Sequence, residues 1–257
     1  MNILVLGDVV SDAGCEFIRK KLSAFKKLKA IDFTIANAEN SAAGNGITPF
    51  SAEHLFTSGV DFLTTGNHVF RRKEVYDFLD DCESVIRPYN FSASNPGKGY
   101  TVVDTGFYKI GILNLMGTMY MENLENPFLA ADRALKELEK ETNIILVDFH
   151  AEATSEKQAL AYYLDGRISA FFGTHTHVQT NDNRILPGGT GYISDLGMCG
   201  VIDSVLGVDK SVVINKFINN MPAFFSQAKG ECMINGCIFT IDSKSGKCTS
   251  TETVRFE

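Results

Sequence analysis

Short apolar runs alternate with amphipathic stretches along most of this chain. Residues 3–6 are apolar and end in Gly7-Asp8, and a helical pattern follows in which Phe17, Leu22 and Phe25 share a face with lysines opposite. The unit recurs over residues 31–36, which end in Asn37-Ala38-Glu39-Asn40; beyond a glycine-rich loop, Thr48-Pro49 reads as an N-cap and first helical position. A third run, 61–65, ends in Gly66-Asn67-His68 and precedes a helix expected over about 73–79. Three strand–helix units in succession predict a largely parallel sheet flanked by helices.

The middle of the chain departs from that rhythm. Residues 100–104 and 108–115 flank Thr105-Gly106-Phe107 and predict a hairpin, at an edge or on a second sheet. A helix over 127–142 leads into a buried strand, 144–150, that ends in His150. A helix over 155–163 and a strand over 168–172 then arrive at Gly173-Thr174-His175-Thr176-His177. A strand at 191–195, a helix at 209–219 and a hairpin of 232–241 with 249–256 complete the chain. No repeat, linker or charge block divides it, so the expectation is one α/β domain over residues 1–257 with two sheets.

Charge narrows the partners. Lys and Arg number 24 against 31 Asp and Glu, a net charge of −7, which excludes a broad surface for a nucleic-acid backbone or an anionic membrane. Any nucleic-acid substrate is therefore small. The N-terminus has no basic region and too short an apolar run for a signal peptide or membrane span. Six scattered cysteines without a C-x-x-C spacing predict reduced thiols, hence a cytoplasmic protein.

Position carries the chemistry. Asp8, Glu39, Asn40, Asn67, His68, His150, His175 and His177 all fall just after apolar runs and include four of the five histidines. Carboxyl ends of parallel strands form the ligand edge of an α/β sheet, so these side chains are expected to converge. Imidazoles, carboxylates and carboxamides in this number suit two divalent transition metals, and the positive charge left over suits a phosphoryl group. An extended His175-Thr176-His177 places both imidazoles on one side. His54, beside Leu55 and Phe56 in the helix expected over 51–58, reads as structural or solvent-facing.

Gly7-Asp8, Gly66-Asn67-His68, a single later His150 and Gly173-Thr174-His175-Thr176-His177 resemble the motifs of the calcineurin-like metallophosphoesterases, in the same order. Within them the chain is more similar to the YmdB-like group, through Leu6-Gly7-Asp8-Val9-Val10, Ala38-Glu39-Asn40, residues 87–91, residues 148–157 and residues 173–187. The resemblance implies a four-layer α/β/β/α sandwich with two mixed sheets. It assigns Asp8, Glu39, Asn40 and His177 to one metal and Glu39, Asn67, His150 and His175 to the other, with Glu39 shared and His68 a general acid outside both sets. Iron or manganese is implied, with zinc acceptable, and a hydroxide held between ions about 3.5 Å apart would attack phosphorus. The chain has Val10, Glu39 and Val69 where the wider superfamily has His, Asp and an acidic residue. Asn40 then replaces the first missing ligand, and the partner that would orient His68 through position 69 is absent.

The leading function is a metal-dependent phosphodiesterase acting on 2′,3′- or 3′,5′-cyclic nucleotides, a substrate class taken from the resemblance. The alternatives are a 5′-nucleotidase-like phosphomonoesterase of the same fold and a regulatory nucleotide-binding protein with little turnover. The partner is a small phosphodiester; homo-oligomerisation stays open. Among lesser features, Arg71-Arg72-Lys73 reads as a solvated run in preference to a phosphate guide, and Thr154 as a helix cap. Gly44-Asn45-Gly46 and Gly188-Gly189-Thr190-Gly191 read equally as cleft walls or ordinary turns.

Overall fold

In the computed structural model, which describes residues 1–257, the strands run past their apolar residues into the polar motifs that follow. β1 (Asn2–Val10) carries Gly7 and Asp8 inside the strand, and β2 (Phe33–Asn40) carries Glu39 and Asn40. Gly7 is required there, because a Cβ would stand 2.0 Å from the Gly197 carbonyl oxygen. These two strands join β3 (Phe62–Thr64), β10 (Met198–Val201), β11 (Cys232–Ile241) and β12 (Cys248–Phe256) in a sheet of order β12-β11-β10-β1-β2-β3. β1 runs parallel to β2 and β10 but antiparallel to β11, so the sheet is mixed.

The predicted hairpin is β4 (Tyr100–Asp104) and β5 (Lys109–Met116), antiparallel at the edge of a second sheet. Beside it lie β6 (Ile145–His150), β7 (Ala170–Thr174), β9 (Gly191–Ile193) and the two-residue β8 (Arg184–Ile185), in the order β4-β5-β6-β7-β9-β8. β8 and β10 have no counterpart in the hydrophobic pattern, since each is short and paired to a longer neighbour.

Alternation along the strands sorts the apolar residues into layers. Ile3, Val5 and Ile35 of the first sheet meet Ile112, Leu146 and Phe172 of the second in a buried middle layer. Leu4, Leu6 and Ala36 face the other way, onto Ile18 and Leu22 of α1 (Ser11–Leu28) and Leu55 of α2 (Pro49–Thr57). Leu113, Val147 and Phe171 face Leu135 of α4 (Pro127–Leu138) and Leu160 of α5 (Thr154–Leu164). The result is the four-layer α/β/β/α sandwich, and strands buried on both faces explain apolar runs in place of alternation.

Local signals held where chemistry enforced them. Thr48 caps α2 with Ser51 in a reciprocal capping box behind Pro49. α4 ends at Leu138, four residues early, where Glu139 closes the last turn. α3 (Val75–Asp81) starts two residues late, after a 3-10 turn at Val69–Arg71. Thr154 does not cap α5: it is the first helical residue, and Ala153 precedes it without a side-chain cap. No helix is long and apolar enough to cross a membrane.

Candidate metal centre

All eight residues singled out in the sequence come together at the carboxyl ends of β1, β2, β6 and β7 and the loop after β3. His150 Nε2 is the hub, 3.0 Å from Asn67 Oδ1, 3.0 Å from His175 Nδ1 and 3.3 Å from Glu39 Oε2. One imidazole N–H cannot serve three acceptors at once, so this donor set fits a cation better than a hydrogen-bond network. Donor atoms of Glu39, His150 and His175 lie within 4.8 Å of one another. Across from them, His177 Nε2 lies 3.7 Å from Asp8 Oδ1 and 3.3 Å from Asn40 Nδ2. Asp8 Oδ1 is buried without a hydrogen-bond partner, a costly state that a metal ion would relieve. Gly66 leaves room for this packing, since a Cβ there would meet His150 Nε2 at 2.3 Å and Glu39 Oε2 at 2.4 Å.

The electrostatics agree. Burial pushes the Asp8 carboxyl up, against the pull of His177 and His150. Burial also opposes ionisation of Glu39, but His150 and His68 hold its carboxyl well below the usual range. Burial works against a charge on His150, yet Glu39 and Asp8 raise it to about 9, while burial and the facing His150 lower His175 to about 3. The pocket thus attracts positive charge at His150 and keeps the His175 lone pair free for a ligand bond.

A second layer, missed in the sequence, aims His150. Its Nδ1–H donates to Thr174 Oγ1 at 2.9 Å, and that hydroxyl donates to Asp148 Oδ1 at 2.8 Å. This chain leaves Nε2 directed at the cluster. Burial raises Asp148 to about 6, while hydrogen bonds from Thr64, Thr174 and Asn37 resist the shift. The available signal was an acidic residue inside the apolar run that forms β6.

The His175-Thr176-His177 segment is not extended. His175 (φ 100°) and His177 (φ 64°) both occupy the left-handed region, costing on the order of 1–3 kcal/mol each. Hydrogen bonds hold the turn: His175 N–H donates to Asp8 Oδ2 and Thr176 N–H to Asp195 Oδ2, both at 3.1 Å. Asp195 is in turn paired with buried Lys157 at 2.7 Å. The imidazoles therefore point to different partners, His175 to His150 and His177 to Asp8, instead of to one side.

His68 sits at the rim, with a quarter of its side chain exposed. Its Nδ1 lies 3.0 Å from Asn40 Oδ1 and 3.3 Å from Glu39 Oε1. Asn40 and Glu39 thus supply the orienting contact that Val69, wholly buried, cannot. Asn40 directs its Nδ2 at Glu39 and His177, so metal ligation through Oδ1 requires the carboxamide to turn over.

A cavity of about 420 Å³ adjoins these groups, lined also by Gly44, Asn45, Leu206, Phe225, Ser226 and Gln227; its wall contains no lysine or arginine. Arg72 lies behind it, donating from Nε to the Asn45 carbonyl at 3.0 Å, so it braces the Gly44–Gly46 wall. Gly188 and Thr190 lie elsewhere, donating their N–H groups to Asp165 in an ordinary turn. Glu156 accepts from Thr118 N–H at 2.9 Å and ties α5 to the loop after β5. His54, 3.3 Å from Glu16, is structural. A larger cavity of about 890 Å³ beside Tyr89, Tyr100 and Arg133 contains none of the donor residues, so size does not locate the chemistry.

Two facing mixed sheets with His, Asn and carboxylate groups gathered at their strand ends define the class: this is a calcineurin-like metallophosphoesterase fold. The model of the YmdB-like protein family matches residues 4–254, and the chain belongs to that family. It is 44% identical over 254 residues to a 2′,3′-cyclic-nucleotide 2′-phosphodiesterase of Bacillus subtilis, covering 99% of this chain and 96% of the relative. A crystal structure of a novel phosphatase from Mycoplasma pneumoniae superposes with a TM-score of 0.94 at 35% identity, covering 100% of this chain and 93% of the other. A hypothetical protein from Thermus thermophilus matches with a TM-score of 0.93 at 37% identity, over 100% and 99% of the two chains.

Proposed function

We propose that this protein hydrolyses small phosphodiesters, with cyclic nucleotides as its substrates, in a reaction that depends on two transition-metal ions. The observation that carries this reading is the donor cluster around the unpartnered Asp8 Oδ1, in a cavity walled without lysine or arginine. The substrate class comes from the Bacillus subtilis relative, whose name specifies 2′,3′-cyclic nucleotides; 3′,5′-cyclic nucleotides are the second class to test. Asp8, Glu39, Asn40 and His177 would hold one ion, and Glu39, Asn67, His150 and His175 the other, with iron or manganese favoured. When bound, the ions supply positive charge for the phosphoryl oxygens and make water acidic enough to attack phosphorus near neutral pH.

The protein's own groups do the rest. With Nδ1 held by Glu39 Oε1 at 3.3 Å, a contact that does not depend on which way the Asn40 carboxamide faces, His68 has Nε2 available as the proton-carrying nitrogen. Water adds to phosphorus and releases a proton to solvent. The bond from phosphorus to the ribose 2′ oxygen breaks as His68 protonates that oxygen, and a nucleoside 3′-phosphate leaves. His68 then regains its proton from solvent. A ribose alkoxide is too basic to depart readily alone, which is why the proton donor matters. A cavity wall without lysine or arginine gains little from a monoester's second negative charge, so diesters are preferred. Kinetics of metal-analysed protein on cyclic nucleotides and monoesters test this. Higher kcat/KM for 5′-nucleotides or sugar phosphates than for every cyclic nucleotide would replace it with a phosphomonoesterase.

A further inference from the structure

The cavity over the metal centre is lined by chemically different groups: the imidazoles of His68, His175 and His177, the apolar side chains of Leu206 and Phe225, and the polar Ser226 and Gln227 that follow Phe225. The wall that carries Leu206 and Phe225 is an excursion from the first sheet. Between β10 and β11 the chain leaves to form α6 (Lys210–Asn219) and returns through residues 225–228. The return is pinned by backbone hydrogen bonds: Asp209 N–H donates to Ser226 at 2.9 Å, and Ala228 N–H donates to Gly207 at 3.0 Å. His177 Nδ1 meets the Leu206 carbonyl oxygen at 3.2 Å, which joins the wall directly to the centre.

Phe225 has no part in the apolar cores, and 52% of it is exposed at the cavity. The Lys216 ammonium lies 4.7 Å from its ring centroid and takes one face, so a flat ligand has the other to stack on. Phe224 beside it is 100% exposed and lines no part of the cavity. A half-exposed aromatic ring in the wall of a cavity that also holds a donor cluster suited to a phosphoryl group matches a ligand with an anion at one end and a flat ring at the other. At about 420 Å³, the cavity lies within the range of about 300–1,000 Å³ usual for small-molecule sites.

We infer that Phe225 is the stacking platform for the substrate's nucleobase, with Leu206 flanking it and Ser226 and Gln227 at the base edge. This rests on the reading of the centre as a cyclic-nucleotide phosphodiesterase. Every base has a π-face, so the platform accepts purines and pyrimidines alike, and base preference is weak.

The test compares nucleoside 2′,3′-cyclic phosphates with methyl riboside 2′,3′-cyclic phosphate, which lacks the base, at matched metal content. Phe225→Ala should lower kcat/KM roughly five- to hundredfold on the nucleosides, chiefly through KM, and leave the abasic substrate unchanged. Phe225→Tyr should restore the nucleoside rate, and Phe224→Ala should match the native protein. Equal rates for Phe225→Ala and native protein on nucleosides would overturn the inference. So would equal losses on both substrates, which would make Phe225 a structural part of the wall. Native protein that turns over neither substrate would refute the phosphodiesterase reading instead. Calorimetric binding of adenosine 3′-monophosphate to native and Phe225→Ala protein then decides the stacking question, with equal affinity counting against it.

Discussion

Replacing Lys157 by Met tests the support beneath the centre. Lys157 Nζ and Asp195 Oδ2 are 2.7 Å apart, and each side chain is only 2% exposed. Met keeps the length and apolar stem of Lys but leaves the Asp195 carboxylate buried and uncompensated. Breaking such a pair costs about 3–5 kcal/mol, far more than a surface ion pair. For a chain of this size about 1 kcal/mol moves Tm by roughly 2–4 °C, so calorimetry of metal-loaded protein should show a fall of roughly 6–20 °C. Asp195 also accepts from Thr176 N–H at 3.1 Å and Gly197 N–H at 2.9 Å, so the variant should release metal at lower chelator concentration as the His175–His177 turn loosens. Adding Asp195→Asn removes the stranded charge but keeps an acceptor for only one of the two N–H groups, which bond to different carboxylate oxygens; this double variant should recover part of the lost stability. Arg133→Met is the contrast, because Arg133 and Glu125 are 48% and 43% exposed and their pair contributes at most about 1 kcal/mol. A Tm fall for Lys157→Met as small as that for Arg133→Met would refute the reasoning.

Elemental analysis of protein purified without chelator should give close to two transition-metal ions per chain; Glu39→Ala should lower both, and His177→Ala mainly one. Equal loss in both variants would contradict the ligand sets. His68→Ala should keep its metal yet lose turnover on ribose esters by about 10²–10⁴-fold. Nitrophenyl esters should lose much less, because nitrophenolate leaves unprotonated; equal losses would give His68 another role. Burial raises the Cys15 and Cys199 thiols to about 12, so at pH 8 they carry almost no thiolate. Mass spectrometry after iodoacetamide at pH 8 should therefore find Cys82, the one cysteine that is not buried, modified ahead of both, with Cys15 and Cys199 reacting only after unfolding.

Much of the architecture was legible in one dimension because strands buried on both faces must be apolar throughout. The runs ending at Asp8, Asn40, His68, His150 and His177 announced both the sheets and the residues at their carboxyl ends. Thr48-Pro49 announced a helix start through backbone chemistry that needs no partner beyond Ser51. Elements that depend on a neighbour were silent: β8 is a strand because β9 offers it hydrogen bonds, and β10 because β1 and β11 do. The same division runs through the site. Residue type made the eight polar groups good ligands and proton carriers wherever they came to lie. Tertiary packing alone turned His175 and His177 toward different partners through left-handed backbone, set Asn40 against His68, and buried Asp148 behind His150 through Thr174. It also brought Phe225, distant in sequence from every motif, into the wall of the same cavity. Periodicity records which face of an element avoids water; the direction of a side chain across a cleft depends on contacts between elements, and no local pattern encodes those.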